Sequence, residues 1–326
     1  MLLFGNTTEQ FPFNLLERHS HENFLEEAKT QDSSLKIEIE ENSILYTQRV
    51  NRGKVDRQED LEKIKEYLEG AILRGDVKAL YNLGVLYRDG QGVPQNFERA
   101  RSYFYQASMQ GHAKAQHNLA LLLLEGKGGE KDLIGAERYL KQAAQQGCVT
   151  AWYNLGAFYC NKSVGIVNFE KSRKCFQKAA RHGFVKAAYN LGVFYRDGKG
   201  GSQNFEKARQ CFEQAALYGN VDAMYNLGML YLGGKGVEKD LNKAKSFLEQ
   251  AANLGDVRAW YNLGVFYYKA FDGGTQNLEK TKDCFEKAAT LGCEAAQYAL
   301  WQLFYYEDDK LQSFLSSGSS TRKENC

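Results

Sequence analysis

The chain has 326 residues, a formal net charge of +2, 20 tyrosines, 19 phenylalanines, 31 glycines and two prolines. This composition is typical of a folded helical protein with glycine at its turns, and it excludes a largely disordered chain. The nearly balanced charge excludes the strongly basic surface of a nucleic-acid-binding protein.

The start of the chain predicts neither a secretory signal nor a membrane anchor. No apolar run approaches the roughly 18 residues of a membrane-spanning helix, so membrane insertion is not expected. The first residues lack a basic segment followed by a long apolar one, and they are too poor in arginine for a standard mitochondrial presequence. We therefore predict a cytoplasmic protein, with a mitochondrial association left open for a processed or truncated form.

The chain divides into three segments. Residues 1–57 contain no repeated motif and are predicted to be a separate N-terminal arm. Residues 58–306 carry a repeat, and residues 307–326 become polar and serine-rich, which indicates a flexible C-terminal tail.

Within the repeat region the motif Ala-x-Tyr-Asn-Leu-Gly recurs every 36 residues, with a degraded copy in the second unit and a weaker seventh copy 37 residues after the sixth. The copies begin at Ala79, Ala115, Ala151, Ala187, Ala223, Ala259 and Ala296. A fixed period of this size predicts a stack of similar units, each of which buries its neighbour's face.

The unit at 184–219 shows how each repeat is expected to fold. Ala187, Leu191 and Tyr195 share one face of a helix predicted over about 185–196. A glycine-rich turn follows, and a second helix is expected to begin after Asn204, whose side chain can accept hydrogen bonds from the free amides of the first turn.

Equivalent positions carry the same signals in the other units. Cap-forming residues at the Asn204 position are Asn96, Asp132, Asn168, Asp240 and Asn277. Glycines expected to end the second helix in a left-handed conformation are Gly75, Gly111, Gly147, Gly183, Gly219, Gly255 and Gly292. Residues 60–75 match a second helix alone and the last copy matches a first helix alone, so the array is predicted to open and close on half-units.

The segments ALYNLGVLYRDGQGV at 79–93 and AMYNLGMLYLGGKGV at 223–237 resemble the Sel-1-like repeat family, a relative of the tetratricopeptide repeats. The resemblance covers roughly 58–306 and implies an all-α fold, a right-handed superhelical α-solenoid of about seven 36-residue helix-hairpin repeats. It also implies an adaptor scaffold without catalysis of its own. Two units depart from the pattern: 160–168 lacks the Gly-x-Gly loop, and unit two has Ala120 for glycine and Leu123 for tyrosine.

The first helix of each hairpin is predicted to line a concave groove that holds a partner protein or peptide. Three sets of residues are expected to face it. The asparagines are Asn82, Asn118, Asn154, Asn190, Asn226 and Asn262; the tyrosines are Tyr81, Tyr153, Tyr189, Tyr225 and Tyr261; the basic residues are Lys78, Lys114, Lys186 and Arg258.

Six asparagines inside helices need a cause, because asparagine competes with the helical backbone for hydrogen bonds. One interpretation is a ladder of amides that hydrogen-bonds an extended peptide, flanked by tyrosine rings and by lysines that favour acidic segments. The alternative is that each asparagine ties adjacent hairpins together. The two roles are compatible.

No catalytic, cofactor-binding or metal-binding motif is present. The Gly-Lys-Gly segments lie between helices and not after strands, so turns are predicted there and not phosphate loops. The odd number of cysteines, without a pattern of two per repeat, predicts reduced thiols.

The sequence thus predicts a non-enzymatic interaction adaptor without a cofactor, with a role in signalling or in a stress response. The alternative is a self-assembling scaffold, a homo-oligomer formed through the repeat ends or residues 1–57, that clusters signalling partners.

Overall fold

The computed structural model of the chain describes residues 65–66, 68–90, 93–164, 167–269 and 277–305. The predicted arm 1–57 and tail 307–326 lie outside these residues, so the predictions about them stay predictions.

The described residues form thirteen α-helices of 12 or 13 residues, joined by turns and preceded by helical residues at 65–66 and 68–73. The helices are α1 Val77–Asp89, α2 Phe97–Met109, α3 Ala113–Glu125, α4 Leu133–Gln145, α5 Val149–Cys160, α6 Phe169–Arg181, α7 Val185–Asp197, α8 Phe205–Leu217, α9 Val221–Gly233, α10 Leu241–Asn253, α11 Val257–Tyr268, α12 Leu278–Thr290 and α13 Glu294–Tyr305. They form six complete hairpins between two half-units, which confirms the predicted all-α repeat architecture.

Each second helix begins at the predicted cap residue. The Asn204 side chain accepts a hydrogen bond of 2.8 Å from the Lys207 amide. The residues that cap the other second helices in the same way, through the amide three positions on, are Asn96, Asp132, Asn168, Asp240 and Asn277. These side chains satisfy amides that the helix itself leaves without an acceptor.

Each second helix ends at the predicted glycine. Gly219 has φ +81°, and its amide donates to the Ala216 carbonyl while the next amide donates to Ala215. Left-handed backbone of this kind is accessible to glycine at little cost, and it turns the chain into the next hairpin. The other six predicted glycines also have positive φ.

Small residues let the two helices of a hairpin approach closely. A Cβ atom added to Gly192 would lie 2.6 Å from the Phe212 ring, so no larger residue fits without movement. The same pairing joins Gly84 to Phe104, Gly228 to Leu248 and Gly264 to Phe285. In unit two the smaller Leu140 stands at the position of Phe212, and both Ala120 and Leu140 are fully buried.

The connection inside unit three is remodelled, as the missing glycines predict. Helix α5 ends at Cys160, and a 3₁₀ turn at Lys162–Val164 follows. The Asn161 side chain accepts a 2.8 Å hydrogen bond from the Ser163 amide, which replaces the left-handed glycine that ends helix α7 at Gly198.

The described residues fall into two compact regions, one that extends to Phe158 and one that begins at Tyr159. The N-terminal region holds α1 to α4 and most of α5, and the C-terminal region holds α6 to α13. Within each region, helices pack against their neighbours in the chain.

Most of the described cysteines are free thiols, as predicted. They are Cys148, Cys160, Cys175, Cys211 and Cys284. Burial raises the pKa of Cys160 and of Cys211 to about 11 and that of Cys284 to about 12, which leaves these thiols poor nucleophiles at neutral pH. The prediction of reduced thiols is wrong for Cys293, which is disulfide-bonded.

Candidate partner-binding surface

The tyrosines and lysines predicted for the partner surface lie at the accessible edge of the first helices. Side chains at the tyrosine position are half-buried, namely Tyr81, Tyr153, Tyr189, Tyr225 and Tyr261. The three lysines, Lys78, Lys114 and Lys186, are exposed. These residues can therefore meet another molecule without rearrangement of the fold.

The asparagines are less accessible than a peptide-binding ladder requires. Asn118, Asn154, Asn190 and Asn226 are only 5 to 8% exposed, whereas Asn82 and Asn262 are half-buried. A buried side-chain amide needs a hydrogen-bond partner inside the protein. The hydrogen bonds that these asparagines make within the chain are therefore the main reason for their position.

Three of the asparagines contact the residue at the tyrosine position of the preceding hairpin. The Asn154 amide lies 2.7 Å from Nε2 of His117, the residue that replaces tyrosine in unit two. Asn262 Nδ2 donates to the Tyr225 hydroxyl at 3.3 Å, and the side chains of Asn118 and Tyr81 are hydrogen-bonded as well. Each contact joins the asparagine of one hairpin to the tyrosine position of the hairpin before it. This is the arrangement expected if the asparagines tie adjacent hairpins together.

Asn226 makes a different pair of contacts. Its Nδ2 donates to the carbonyl of Asp222 in its own helix at 2.7 Å, and its Oδ1 accepts from Arg196 of the preceding hairpin at 2.5 Å. The asparagine position therefore links hairpins even where its partner is not the tyrosine.

The tyrosine rings are held from the other side by the second helix of their own hairpin. Tyr81, Tyr189 and Tyr261 pack on Phe104, Phe212 and Phe285 with ring centroids 5.5 to 6.0 Å apart. Burial raises the pKa of Tyr81 and Tyr225, and it raises that of Tyr261 to about 12. Like ordinary tyrosine hydroxyls they are neutral at physiological pH, and they can both donate and accept hydrogen bonds.

Arg258, predicted as a partner-binding cation, is engaged inside the stack. Its guanidinium donates to Asp222 of the preceding unit at 2.5 Å and to Asp256 at 2.6 Å, and it lies 4.5 Å from the centroid of the Tyr225 ring. Burial alone would lower the pKa of Arg258, but its bonds to these carboxylates raise it above the usual value. With two carboxylates bound, the arginine offers little uncompensated charge to a partner.

A set of cation–π contacts was not predicted from the sequence. The tyrosine that follows the repeated glycine by three positions lies under a basic residue in the second helix of the same hairpin, twelve positions further on in four hairpins and thirteen in the last. The pairs are Tyr87 with Arg99, Tyr159 with Lys171, Tyr195 with Lys207, Tyr231 with Lys243 and Tyr267 with Lys280. The regular spacing of these basic residues is the sequence signal that could have identified them.

Among the described residues, no group of histidine, cysteine and acidic side chains is arranged to hold a metal ion. No described helix combines the length and the apolarity that a membrane crossing requires.

Comparison with solved structures shows the same fold in bacterial proteins. The chain is similar to the protective antigen c5321 of uropathogenic Escherichia coli, which displays an SLR fold, with 24% identity and a TM-score of 0.73. This match covers 89% of the chain but 64% of the antigen, so the chain spans less than two thirds of that protein. A Sel1 repeat protein from Oxalobacter formigenes is 27% identical, with 77% of the chain and 99% of that protein covered and a TM-score of 0.60.

No curated protein matches the chain at a significant level. The Sel1 repeat family, in contrast, matches six consecutive segments, and their limits coincide closely with the six hairpins. The segments are 77–112, 113–148, 151–184, 185–220, 221–256 and 257–293. Because these segments make up well over half of the sequence, the chain belongs to the Sel1 repeat family.

Proposed function

We propose that the chain is a non-enzymatic adaptor that binds a protein or peptide partner on the first helices of its hairpins. The observation that carries the proposal is the recurrence of half-buried tyrosines, each with part of its side chain accessible, at one position in five hairpins. Tyrosine supplies rigid contact area with a polar tip and loses little conformational entropy on binding, which suits it to interfaces.

In this proposal the three sets of residues have different roles. The tyrosines Tyr81, Tyr153, Tyr189, Tyr225 and Tyr261 make the contact, and Lys78, Lys114 and Lys186 attract acidic segments of the partner. The asparagines Asn82, Asn118, Asn154, Asn190, Asn226 and Asn262 link consecutive hairpins and so position the first-helix side chains beside them, and Arg258 acts through the Tyr225 ring that it covers.

Charge reversal tests the proposed surface. The variant Lys78→Glu/Lys114→Glu/Lys186→Glu is used beside the wild type to capture partners from cell extract, with bound proteins quantified by mass spectrometry. We expect the partner retained by the wild type to be lost, most clearly at low salt, because exposed charges act mainly through the association rate.

The matched control is Lys141→Glu/Lys174→Glu/Lys282→Glu, which changes the net charge equally through exposed lysines of the second helices. Equal retention of the same partner by both triple variants would show that the first helices are not the binding surface.

The roles of the asparagines are tested by Asn154→Ala/Asn190→Ala. If the asparagines position contact residues, this variant captures less partner at a temperature where its circular dichroism still shows the folded state. Unchanged capture by a folded variant would restrict the asparagines to a role in stability.

A self-assembling scaffold is the alternative function, and the last helix gives a reason to retain it. Trp301 and Phe304 of α13 are 43% and 60% exposed, although the equivalent positions Gly84 and Tyr87 are buried in their hairpin. Exposed aromatic residues at the end of a repeat array suit contact with a second copy. Light scattering on the full chain and on residues 58–306 tests it, and a strict monomer in both excludes it.

A further inference from the structure

The disulfide bond of Cys293 leaves one candidate for its partner within the chain. The other five cysteines among the described residues are free thiols, whereas Cys293 is disulfide-bonded. The sequence holds seven cysteines, and the seventh is Cys326, which lies outside the described residues. By elimination, Cys326 is the residue of this chain that can share the bond.

Cys293 lies at the start of helix α13, in the position of a helix cap. The Ala296 amide donates a hydrogen bond of 3.4 Å to its sulfur. Because sulfur is a weak acceptor, α13 begins at a weaker cap than first helices that start at an oxygen or an imidazole nitrogen. The stronger caps at the equivalent position are Asp76, His112, Asn220 and Asp256.

A cysteine at this position is not bonded in every unit. Cys148 occupies the same place at the start of α5, and its thiol is free and partly accessible. The Cys293 side chain is fully buried, in a cluster that includes Phe285 and Ala288 of α12. The bond therefore distinguishes the last unit from its siblings, and Cys148 provides a matched control.

Helix α13 also has less packing around it than the first helix of a complete hairpin. Helix α7, for example, packs against both α6 and α8. Helix α13 packs against α12, and among the described residues no second helix follows it to complete the hairpin. Because an isolated helix of 12 residues is marginal in water, α13 depends on whatever else holds it in place.

The segment that follows α13 is long enough to return to Cys293. A helix of 12 residues is about 18 Å long. The 21 residues from 306 to 326 can span roughly 70 Å when extended. A bond between Cys293 and Cys326 therefore fits the chain length, and it joins the two ends of a loop that contains α13.

We propose that a disulfide between Cys293 and Cys326 is a redox-sensitive clasp that holds α13 on the end of the repeat array. Closing the loop reduces the number of conformations that α13 gains when it detaches from α12, so the bond disfavours detachment. This clasp is independent of the first-helix surface proposed above.

A thiol reductant opens the clasp by thiol–disulfide exchange. With dithiothreitol, the bond between the two cysteine sulfurs breaks, and each sulfur leaves as a thiol after taking up a proton. The two electrons come from the reductant, whose own sulfurs become joined in a cyclic disulfide. Helix α13 then keeps its contacts with α12 but loses the covalent loop.

The first test identifies the bond in the full chain, equilibrated in a glutathione redox buffer. Free thiols are blocked with N-ethylmaleimide in urea, and the chain is digested without reductant for mass spectrometry. We expect a pair of peptides linked through Cys293 and Cys326, which separates after treatment with dithiothreitol.

The second test measures what the bond does to α13, by hydrogen exchange of peptides from 294–305 with and without dithiothreitol. We expect exchange to be at least about tenfold faster after reduction, because α13 detaches more often. Peptides from α7 are the internal control and should not change.

Two variants assign the effect to the bond. Cys326→Ser should show the faster exchange of α13 both with and without dithiothreitol. Cys148→Ser removes the cysteine at the same position of unit three and should respond to the reductant as the wild type does.

Any of three results would overturn the proposal. They are the absence of a peptide pair linking Cys293 to Cys326 in one chain, unchanged exchange of α13 on reduction, and a response to dithiothreitol that persists in Cys326→Ser. A link from Cys293 to a second copy of the chain counts as the first of these.

Discussion

The shielded thiols of the helices show how the reactivity of a single side chain depends on its surroundings. A thiol with a pKa of about 11, as at Cys211, is only about 0.1% thiolate at pH 8, against a substantial fraction for an ordinary cysteine. Cys160, Cys211 and Cys284 should therefore resist alkylation in the native chain.

The measurement is iodoacetamide labelling at pH 8, read by peptide mass spectrometry, with the urea-unfolded chain as the control. We expect the three thiols to be modified much more slowly in the native chain than in urea. Equal labelling rates for Cys160 in both states would contradict the burial that the structure shows.

The same pKa shift predicts a dependence of stability on pH. Because the folded-state pKa is raised above about 8.5, the unfolded chain ionises first as the pH rises. The contribution of the neutral Cys211 thiol to the free energy of unfolding is complete below about pH 8.5 and is lost between about pH 8.5 and 11. As the pH rises through this range, the urea midpoint of the wild type should therefore fall more steeply than that of Cys211→Ala.

At the scale of the helix pair, the glycine that faces a ring sets the distance between the two helices. Gly192→Ala places a Cβ 2.6 Å from Phe212 and should destabilise the chain by about 1–3 kcal/mol, the usual cost of overpacking. Urea denaturation measures this change. Gly192→Ala/Phe212→Leu should recover part of the loss, because unit two combines Ala120 with Leu140.

A matched control separates steric crowding from the removal of a glycine. Gly70 lies in the helical segment 68–73, and the nearest atom to its added Cβ is the end of a flexible arginine at 3.7 Å. Gly70→Ala should be neutral or stabilising by about 0.5–1 kcal/mol, since alanine favours a helix. Similar losses for both variants would mean that crowding at Phe212 is not the cause.

The limits of the helices could be predicted closely from the sequence because their signals are local. The cap at Asn204 and the left-handed Gly219 act within a few residues, and the structure places the helix between them as predicted. Accessibility was harder to predict. Whether Asn154 or Arg258 faces a partner or the stack depends on a residue some 36 positions away, which no local pattern reveals.

At the scale of the whole molecule, polar contacts join consecutive units. The Arg258 guanidinium connects unit six to Asp222 of unit five and also binds Asp256, whose side chain is only 4% exposed. Arg258→Ala should cost on the order of 2 kcal/mol, because it leaves a buried carboxylate without its partner.

Urea denaturation of Arg258→Ala, Asp222→Ala and the double variant measures the link between the units. Asp222 is half-exposed, so a coupling free energy of about 1 kcal/mol or less is expected for that pair. Lys114→Ala, at the same repeat position but exposed, should change stability by less than about 0.5 kcal/mol. If Arg258→Ala behaved like Lys114→Ala, the network would not contribute to the stack.

The contacts within each hairpin also affect how the number of repeats can change during evolution. The glycine–ring pair and the tyrosine–cation pair both lie within one hairpin, as Gly192 with Phe212 and Tyr195 with Lys207 show. Duplication or loss of a whole 36-residue block therefore keeps each pair together. Leu123 and Gly135, which replace the tyrosine and its basic residue in unit two, would be copied or deleted as one inherited unit.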